Sequence, residues 1–420
     1  MSLQLSAEEE GLLAGAAGPG AAMALRIVSE AARLLGAPRL LPVASAHIDG
    51  CLYHGDSGVA FAERLAGLGA RVAVPTTTNV GALDLLRPEN VRLDPHRRAM
   101  ALRLMRAHEA VGCRPTWTCA PYQAGHRPAC GTDVAWGESN AVAFVNSVLG
   151  ARTNRYGDFL DLCCAITGRA PDSGLHRPEH RRATLLVDVT ALPPRLVAEP
   201  AFYPVFGAWY GQAVGQAVGA IAGLPKDVGE DELKAFAAAA ASTGAVALFH
   251  VIGRTPEAPD AEAAFGGQPP DAVLRPDARS LAAQRAGLST ASPEGNRVDA
   301  VAVGSPHLSA GEFDRLLALF AGRRSRLPFY ACTGRHTLAA LEQGGRRPAL
   351  DEAGITVVAD TCVVVTPVLR GMSGVLMTNS GKFAHYAPGN TGYAALFGSL
   401  SDCVETAVAG RLYRDESLWS

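Results

Sequence analysis

Nine cysteines are spread over the 420 residues, and no two of them form a C-x-x-C pair. That argues against zinc ribbons and thioredoxin-like redox chemistry, and an odd count with Cys163 and Cys164 adjacent makes a poor disulfide framework. Thiolates gathered from distant positions suit an iron–sulfur cluster, whose bridging sulfides supply part of each iron's coordination and leave room for an iron that faces substrate. The C-terminal third offers Ser305, His307, Cys332, Asp360, Cys362, Asn379 and Lys382, each placed where an apolar, strand-like run ends. A single cysteine is more often a small buried hydrophobe, but two at equivalent ends of neighbouring strands form a ligand pattern. In TNSGKFAHY, Lys382 stands beside Asn, Ser and Gly, the composition of an anion pocket.

A small polar ligand at such a centre would also need neutral donors for any anionic group and acceptors for a hydroxyl or amine. Gly50, Asn79, Glu138 and Ser139 have the right chemistry and lie in polar loops. Glu138 can hold an ammonium group or move a proton, or it can stand at a helix N-terminus and complement the dipole there. Thr76 to Asn79 reads as a substrate loop or as an ordinary strand exit with local hydroxyl bonds. His47, His54, His126, His250, His307, His336 and His385 are too scattered to single out a base, and His250, inside AVALFHVIG, reads as a core histidine.

These side chains need elements to hold them. RLLPVASAHIDG and RVAVPTTTNVG place short β-type runs before polar loops, with the helical FAERLAGLG between them, which is β-α-β grammar. Ser6 with Glu9 forms a capping box ahead of a helix from about Ala22 to Leu35. A charged helix is expected from Pro95 to Val111, a Pro/Gly-broken loop around Cys119, and a helix over SNAVAFVNSVLGA. Gly207, Gly211, Gly215 and Gly219 would line one face of a helix for close packing. Residues 254–296, rich in Pro, Ala, Gly and Asp, read as an irregular connection between a first region, 1–253, and a last, 297–420. VDAVAVGSPH, LPFYACTGRH, ITVVADTCVVV and GVLMTNSGK then predict a parallel α/β sheet, whose ligands gather outside the carboxyl ends of the strands.

With 48% hydrophobic and 19% charged residues the chain can bury a sizeable core, and its length favours two packed domains. A net charge of −2, with no Lys/Arg run interleaved with aromatics, argues against a nucleic-acid partner. The start, MSLQLSAEEEGLLAG, lacks the basic and apolar blocks of a secretion signal, and no apolar stretch is long enough to span a bilayer. The expectation is a cytoplasmic protein without a membrane partner.

Eight blocks in consistent order carry a resemblance to a known family: ASAHIDGCLYHGD, VPTTTNVGALDL, CAPYQ, AWGESNAVAFVNSVLGARTNRYG, ALFHVIG, VGSPH, ADTCVVVTP and TNSGKFAHYAPG. Together they resemble aconitase X over nearly the whole chain. The resemblance implies an aconitase-superfamily α/β fold of parallel sheets flanked by helices, without the family's small swivelling domain. It implies an iron–sulfur cofactor and dehydration of a small hydroxy acid by a hydro-lyase. It further implies a partner, the swivelling domain as a separate chain forming a heterodimer, whose serine acts as the base.

By motif, the resemblance assigns Cys119 and Cys362 as cluster ligands. It puts Gly50, Cys51, Leu52, Asn79, Glu138, Ser139 and Lys382 around the substrate. Where archaeal members that dehydrate mevalonate 5-phosphate carry a third cysteine, this chain has Ser305, and Cys332 is a nearby candidate for a further thiolate. The substitution favours a 2Fe–2S cluster over 3Fe–4S or 4Fe–4S, and a substrate such as cis-3-hydroxy-L-proline over the phosphorylated one. Glu138 would then meet the ring ammonium and Lys382 the carboxylate. A non-catalytic iron–sulfur sensor or electron carrier is the alternative from another class.

Overall fold

The computed structural model describes residues 3–292, 297–368 and 374–419. The chain forms two compact units, one of Met1–Leu83 with Asp94–Arg182, the other of Asp84–Leu93 with Ala183–Ser420.

In the first unit the strands are β1 (Leu40–Pro42), β2 (Ala46–Ile48), β3 (Thr76–Thr78), β4 (Ala135–Trp136) and β5 (Arg169–Pro171). β2 is central in a parallel sheet of order β3-β2-β4, while β1 and β5 pair antiparallel. All three residues of β2 and of β3 are buried, as in strands covered on both faces. Pairing of Ile48 with Thr78 and of His47 with Trp136 brings the loops that follow the three strands to one edge. The helices Gly18–Leu34 and Leu160–Thr167 cover this unit's core, contributing Leu25, Val28, Leu162 and Ile166. Ser6 and Glu9 form the expected capping box on the helix Ala7–Leu13.

The second unit holds two parallel sheets. β6 (Leu185–Asp188), β7 (Gly219–Ala222), β8 (Phe249–Val251) and β9 (Ala272–Leu274) take the order β8-β7-β6-β9. β10 (Ala300–Val303), β11 (Phe329–Thr333), β12 (Ile355–Ala359), β13 (Val375–Thr378) and β14 (Ala394–Phe397) take the order β12-β11-β10-β13-β14. The four C-terminal runs are the expected strands of one parallel sheet. The fifth, β14, escaped the sequence reading because AALF is short and lies between glycines.

Two expectations are corrected. Residues 254–296 are not irregular throughout: they carry the helices Ala261–Phe265 and Ala278–Gly287 and the edge strand β9, while 293–296 fall outside the described residues. Asp260 and Asp277 cap those helices, so residues that read as loop formers act as N-caps. The four-glycine stripe is divided as well: the helix Phe202–Val214 ends at Gly215, with φ of 62°, and Gly219 opens β7.

The two glycines inside that helix do serve close packing. A β-carbon at Gly207 would lie 2.4 Å from the Phe236 carbonyl oxygen, and one at Gly211 would lie 2.6 Å from that of Ala240. Both contacts are with the helix Glu230–Gly244. At Gly244 the added carbon would be 1.8 Å from the Gly211 carbonyl oxygen. Backbone cannot yield as a flexible side chain does, so Gly244→Ala is expected to destabilise the second unit by about 3 kcal/mol, the upper end for overpacking. Urea titration followed by circular dichroism would measure this, and an unchanged midpoint would count against such close packing.

No single helix among the described residues is long and apolar enough to cross a membrane. The pair Ala7–Leu13 and Gly18–Leu34, which together reach that length, is bent by 117°.

Candidate active site

In the first unit, the carboxyl end of β2 leads into Asp49, Gly50, Cys51 and Leu52, that of β3 into Asn79, and that of β4 into Gly137, Glu138 and Ser139. Asn79 N–H donates to the Ile48 carbonyl at 2.8 Å and Gly137 N–H to that of His47 at 3.0 Å, so the three loops leave the sheet side by side. The Cys51 thiol is buried and donates to the Asn79 carbonyl at 3.2 Å and the Ile48 carbonyl at 3.4 Å. With that thiol turned inward, the loop offers mainly backbone to a ligand. Burial also pushes the Cys51 thiol up, so it stays protonated.

Glu138 is buried and stands as N-cap of the helix Ser139–Ser147, accepting from Ala141 N–H at 2.6 Å and from the Ser139 hydroxyl at 3.3 Å. The helix-dipole reading of Glu138 therefore holds geometrically. Asn140, on the same helix, donates to the Cys119 carbonyl at 3.1 Å. The segment before Cys119 is fastened to β3: Thr116 and Trp117 N–H both donate to the Thr78 hydroxyl at 3.1 Å. Cys119 is thus held beside the Glu138–Ser139 turn.

Two features of this unit carried no sequence signal. One is a hydrogen-bonded chain in which His47 Nδ1 meets the Thr77 hydroxyl at 2.8 Å, that hydroxyl meets His126 Nδ1 at 2.8 Å, and His126 Nε2 meets the Ser45 hydroxyl at 2.8 Å. Burial lowers both histidines, His126 to about 4, so they are neutral at pH 7. The other is Asp161, fully buried in the first turn of the helix Leu160–Thr167. Its Oδ2 accepts from Asp49 N–H at 2.6 Å and, more weakly, from Gly50 N–H at 3.4 Å, and its Oδ1 accepts from Leu162 N–H at 2.7 Å. In sequence it looks like an ordinary first-turn acid, and only the 112-residue contact reveals it.

Burial outweighs those amides and, with the Asp49 and Asp158 carboxylates nearby, pushes the Asp161 carboxyl up to about 8. Between about pH 4 and pH 8 the folded chain keeps a proton that the unfolded chain has released, so stability should fall as pH rises through that window. The slope is on the order of 1 kcal/mol per pH unit for a single group. Asp161→Asn keeps an acceptor and should flatten this slope, raising stability at pH 8 relative to pH 5. Urea titrations of both proteins at the two pH values would show it, and parallel pH dependences would refute it.

In the second unit, β10 ends at Val303 and is followed by Gly304, Ser305 and a cis Ser305–Pro306 peptide. Ser380, N-cap of the helix Gly381–Thr391 that carries Lys382, donates its hydroxyl to the Ser305 carbonyl. This bond joins the Ser305 turn to the NSGK segment, because β10 and β13 are neighbours. The turn is also held by the buried Lys234, which donates to the His307 carbonyl at 3.1 Å and to Asp231 at 3.0 Å, and pairs with Glu312. His307 is buried and lowered to about 3, chiefly by burial, with Lys234 and Lys382 adding to the effect. Neutral, its Nε2–H donates to the Thr361 carbonyl at 3.0 Å, next to Cys362.

Cys332 lies within β11 and Cys362 just beyond β12, and both side chains belong to one buried cluster with Val358 and Phe383. Asp360, at φ of 64°, turns the chain toward Cys362 and is gripped by Arg335 through two bonds of 2.8 and 2.7 Å. Burial, with the Cys332 thiol nearby, pushes the Cys362 thiol up to about 12, while the Val364 and Val365 amides and the Lys382 charge pull the other way. Amides and a cation directed at a buried sulfur are what a metal-bound thiolate uses. The cysteine pair therefore fits two thiolate donors of an iron–sulfur group. Among the described residues, however, no three His, Cys, Asp or Glu side chains gather closely enough to hold a metal ion.

Models of aconitase X domains match almost the entire chain: the first domain over residues 2–179, the second over 183–286 and the third over 298–409. The chain belongs to the aconitase X family. A cis-3-hydroxy-L-proline dehydratase of Pseudomonas aeruginosa is 43% identical over 413 residues, covering 97% of this chain and 70% of that protein. One of Hypocrea jecorina is 38% identical, covering 98% and 69%. A phosphomevalonate dehydratase large subunit of Methanothermobacter thermautotrophicus is 35% identical, covering 94% and 96%. The crystal structure of Thermococcus kodakaraensis aconitase X, in its holo-form, matches with a TM-score of 0.86 at 30% identity, over 96% of this chain and 100% of that one. The parallel α/β aconitase X fold expected from the sequence is therefore the fold found.

Proposed function

We propose that this chain is the larger, cluster-bearing part of a hydro-lyase that removes water from cis-3-hydroxy-L-proline. The observation that carries the reading is the 43% and 38% identity to dehydratases of that name over 97% and 98% of the chain, against 35% to a phosphomevalonate dehydratase large subunit. Ser305, at the position of the archaeal cysteine, supports the same preference.

Cys119 and Cys362 are the thiols assigned to an iron–sulfur cluster, with Cys332 beside Cys362 as a further donor and 2Fe–2S as the favoured type. The chemistry that such a cluster supplies when bound is Lewis acidity toward a substrate oxygen. In the reaction the substrate loses its proton alpha to the carboxylate and its 3-hydroxyl, together one water, and the resulting enamine tautomerises to a pyrroline-2-carboxylate. Gly50, Cys51 and Leu52 form the loop assigned to the substrate, with the Cys51 thiol turned inward against the Ile48 and Asn79 carbonyls. Glu138 orients Ser139 and fixes the start of the helix Ser139–Ser147. Lys382, in the first turn of its helix, offers a cation where the helix dipole also favours an anion. The proton-abstracting serine is assigned to a separate small swivel-domain chain, which makes the enzyme a cytoplasmic heterodimer.

The test is turnover by the iron-loaded complex co-purified with the small chain. The reading expects conversion of cis-3-hydroxy-L-proline and little or none of mevalonate 5-phosphate. The reverse preference would establish the phosphomevalonate reading, and cluster binding without turnover of either would point to a non-catalytic iron–sulfur protein.

A further inference from the structure

We propose that Asp84 is a positioning residue for the Cys362 loop, acting through a strap of residues 84–93 that holds the loop at its entry and its exit. The inference rests on the assignment of Cys362 to the iron–sulfur group and deepens it.

Residues 84–93 lie inside the stretch matched by the first aconitase X domain, yet they pack with the second unit, leaving the first after Leu83 and rejoining it at Asp94. The strap runs along β12, an edge strand of its sheet. Asp84 is 1% exposed, and its Oδ2 accepts from Ala359 N–H at 3.2 Å. The same oxygen accepts from Asn90 Nδ2 at 2.8 Å, and that amide also reaches the Val357 carbonyl at 3.4 Å. Asp84 Oδ1 accepts from Leu86 and Arg87 N–H at 3.0 and 2.8 Å, which folds the start of the strap into a turn. At the far end Arg92 N–H donates to the Pro367 carbonyl at 2.9 Å.

Loops often cover a sheet edge, and a cover alone would need only the bonds to β12. Two features go further. The ties at Ala359 and Pro367 stand on either side of Cys362, so the strap brackets the loop that carries the thiol. Asp360, directly after Ala359, sits at φ of 64°, a left-handed backbone that a residue other than glycine keeps only where its surroundings fix it. Arg335 fixes the Asp360 side chain, His307 the Thr361 carbonyl and Asn390 the Val364 carbonyl. Asp84 fixes the amide by which the chain enters that turn. Inside the loop, Val365 and Thr366 N–H both donate to the Cys362 carbonyl at 3.2 Å, so the sulfur moves with the loop as a whole. Anchored at entry and exit, the loop keeps the thiol in one place before iron arrives, which is what supporting contacts around a metal ligand supply.

Asp84→Asn tests this at nearly constant size, because in either orientation the new amide sets its own N–H groups against two N–H donors. The measurement is alkylation of the full, iron-free chain by N-ethylmaleimide, read thiol by thiol by mass spectrometry. In the variant Cys362 should react at least about tenfold faster, the scale of a lost buried hydrogen bond, while Cys403, fully buried in the core of the same unit, keeps its rate. An equal rise at both thiols would make Asp84 a general stabiliser, and no rise at Cys362 would make the strap a passive cover; both overturn the proposal. In the iron-loaded complex the variant should change the visible circular dichroism of the cluster and lose iron to a chelator at least about tenfold faster, and an unchanged spectrum with unchanged iron release would overturn it too. Hydrogen exchange on the unmodified chain guards against a variant that fails to fold. With rising urea the segments 84–93 and 359–367 should lose protection together, and a strap that opens while the loop stays closed would overturn the proposal. An unmodified chain that takes up no iron would count against the cluster reading instead, and the alkylation comparison would still decide the role of Asp84.

Discussion

Cys362→Ser is expected to strip the protein of its iron–sulfur absorption and abolish turnover while leaving the fold intact. The side chain lies 2% exposed at the exit of β12, with the Val364 and Val365 amides directed at its sulfur. A serine hydroxyl fits the same space and can accept the same amides, so the buried cluster with Val358 and Phe383 should survive. As a ligand, though, a neutral hydroxyl is far poorer than a thiolate for iron in a sulfide-bridged cluster. Iron content, visible absorption and the thermal melt, measured on the same anaerobic preparation, separate the two effects. Full iron content in the variant would remove Cys362 from the ligand set, and a collapsed melt would make it a packing residue.

Lys382→Ala should do the converse, sparing the cluster spectrum and costing about 2–4 kcal/mol of transition-state stabilisation, or roughly two to three orders of magnitude in kcat/KM. Lys382 is half-buried in the first turn of the helix capped by Ser380, and that cap is bonded to the Ser305 turn. Its position is therefore fixed from two strands, and its charge adds to that of the helix N-terminus. Arginine should rescue only in part, since a planar guanidinium spreads the charge that an ammonium concentrates at one point. Near-normal kinetics in Lys382→Ala would end the anion-binding assignment. Loss of the cluster would instead make the lysine a partner of the Cys362 thiolate, which its pull on that thiol also permits.

Much of the candidate site was legible because a parallel α/β chain announces its strand ends. An apolar run, then Gly, Asn, Ser or Asp, then a helical pattern marks a place where side chains collect, and Asn79, Ser305 and Lys382 were picked out as candidates in this way, whereas Glu138 was picked out from the helix that follows it. Glu138 shows the limit of such reading. Its N-cap position was foreseeable from the helix that follows, yet the engagement of both its oxygens was not. Asp161 and Asp49 went unnoticed because one looks like a dipole-compensating acid and the other like a turn former. Arg335 and Asp360 likewise gave no sign of gripping each other ahead of Cys362.

By itself the sequence determined the class of fold, the strands and helices around the polar loops, and the residue types at several strand ends, because these follow from periodicities of a few residues and from local turn and cap chemistry. Which of those residues meet was decided by tertiary structure alone. The order β12-β11-β10-β13-β14 makes the Ser305 and NSGK turns neighbours across 75 residues, and β3-β2-β4 sets Asn79 against Asp49 across 30. Strand order is a property of how buried faces pair over long chain separations, and local patterns do not encode it. Among the described residues the same pairing leaves the Asn79 oxygen without a donor, and it brings the Cys332 and Cys362 side chains into one cluster. Hydrogen-bond satisfaction and thiol burial depend on neighbours from distant parts of the chain, so neither could be read from the run of residues that supplies the group.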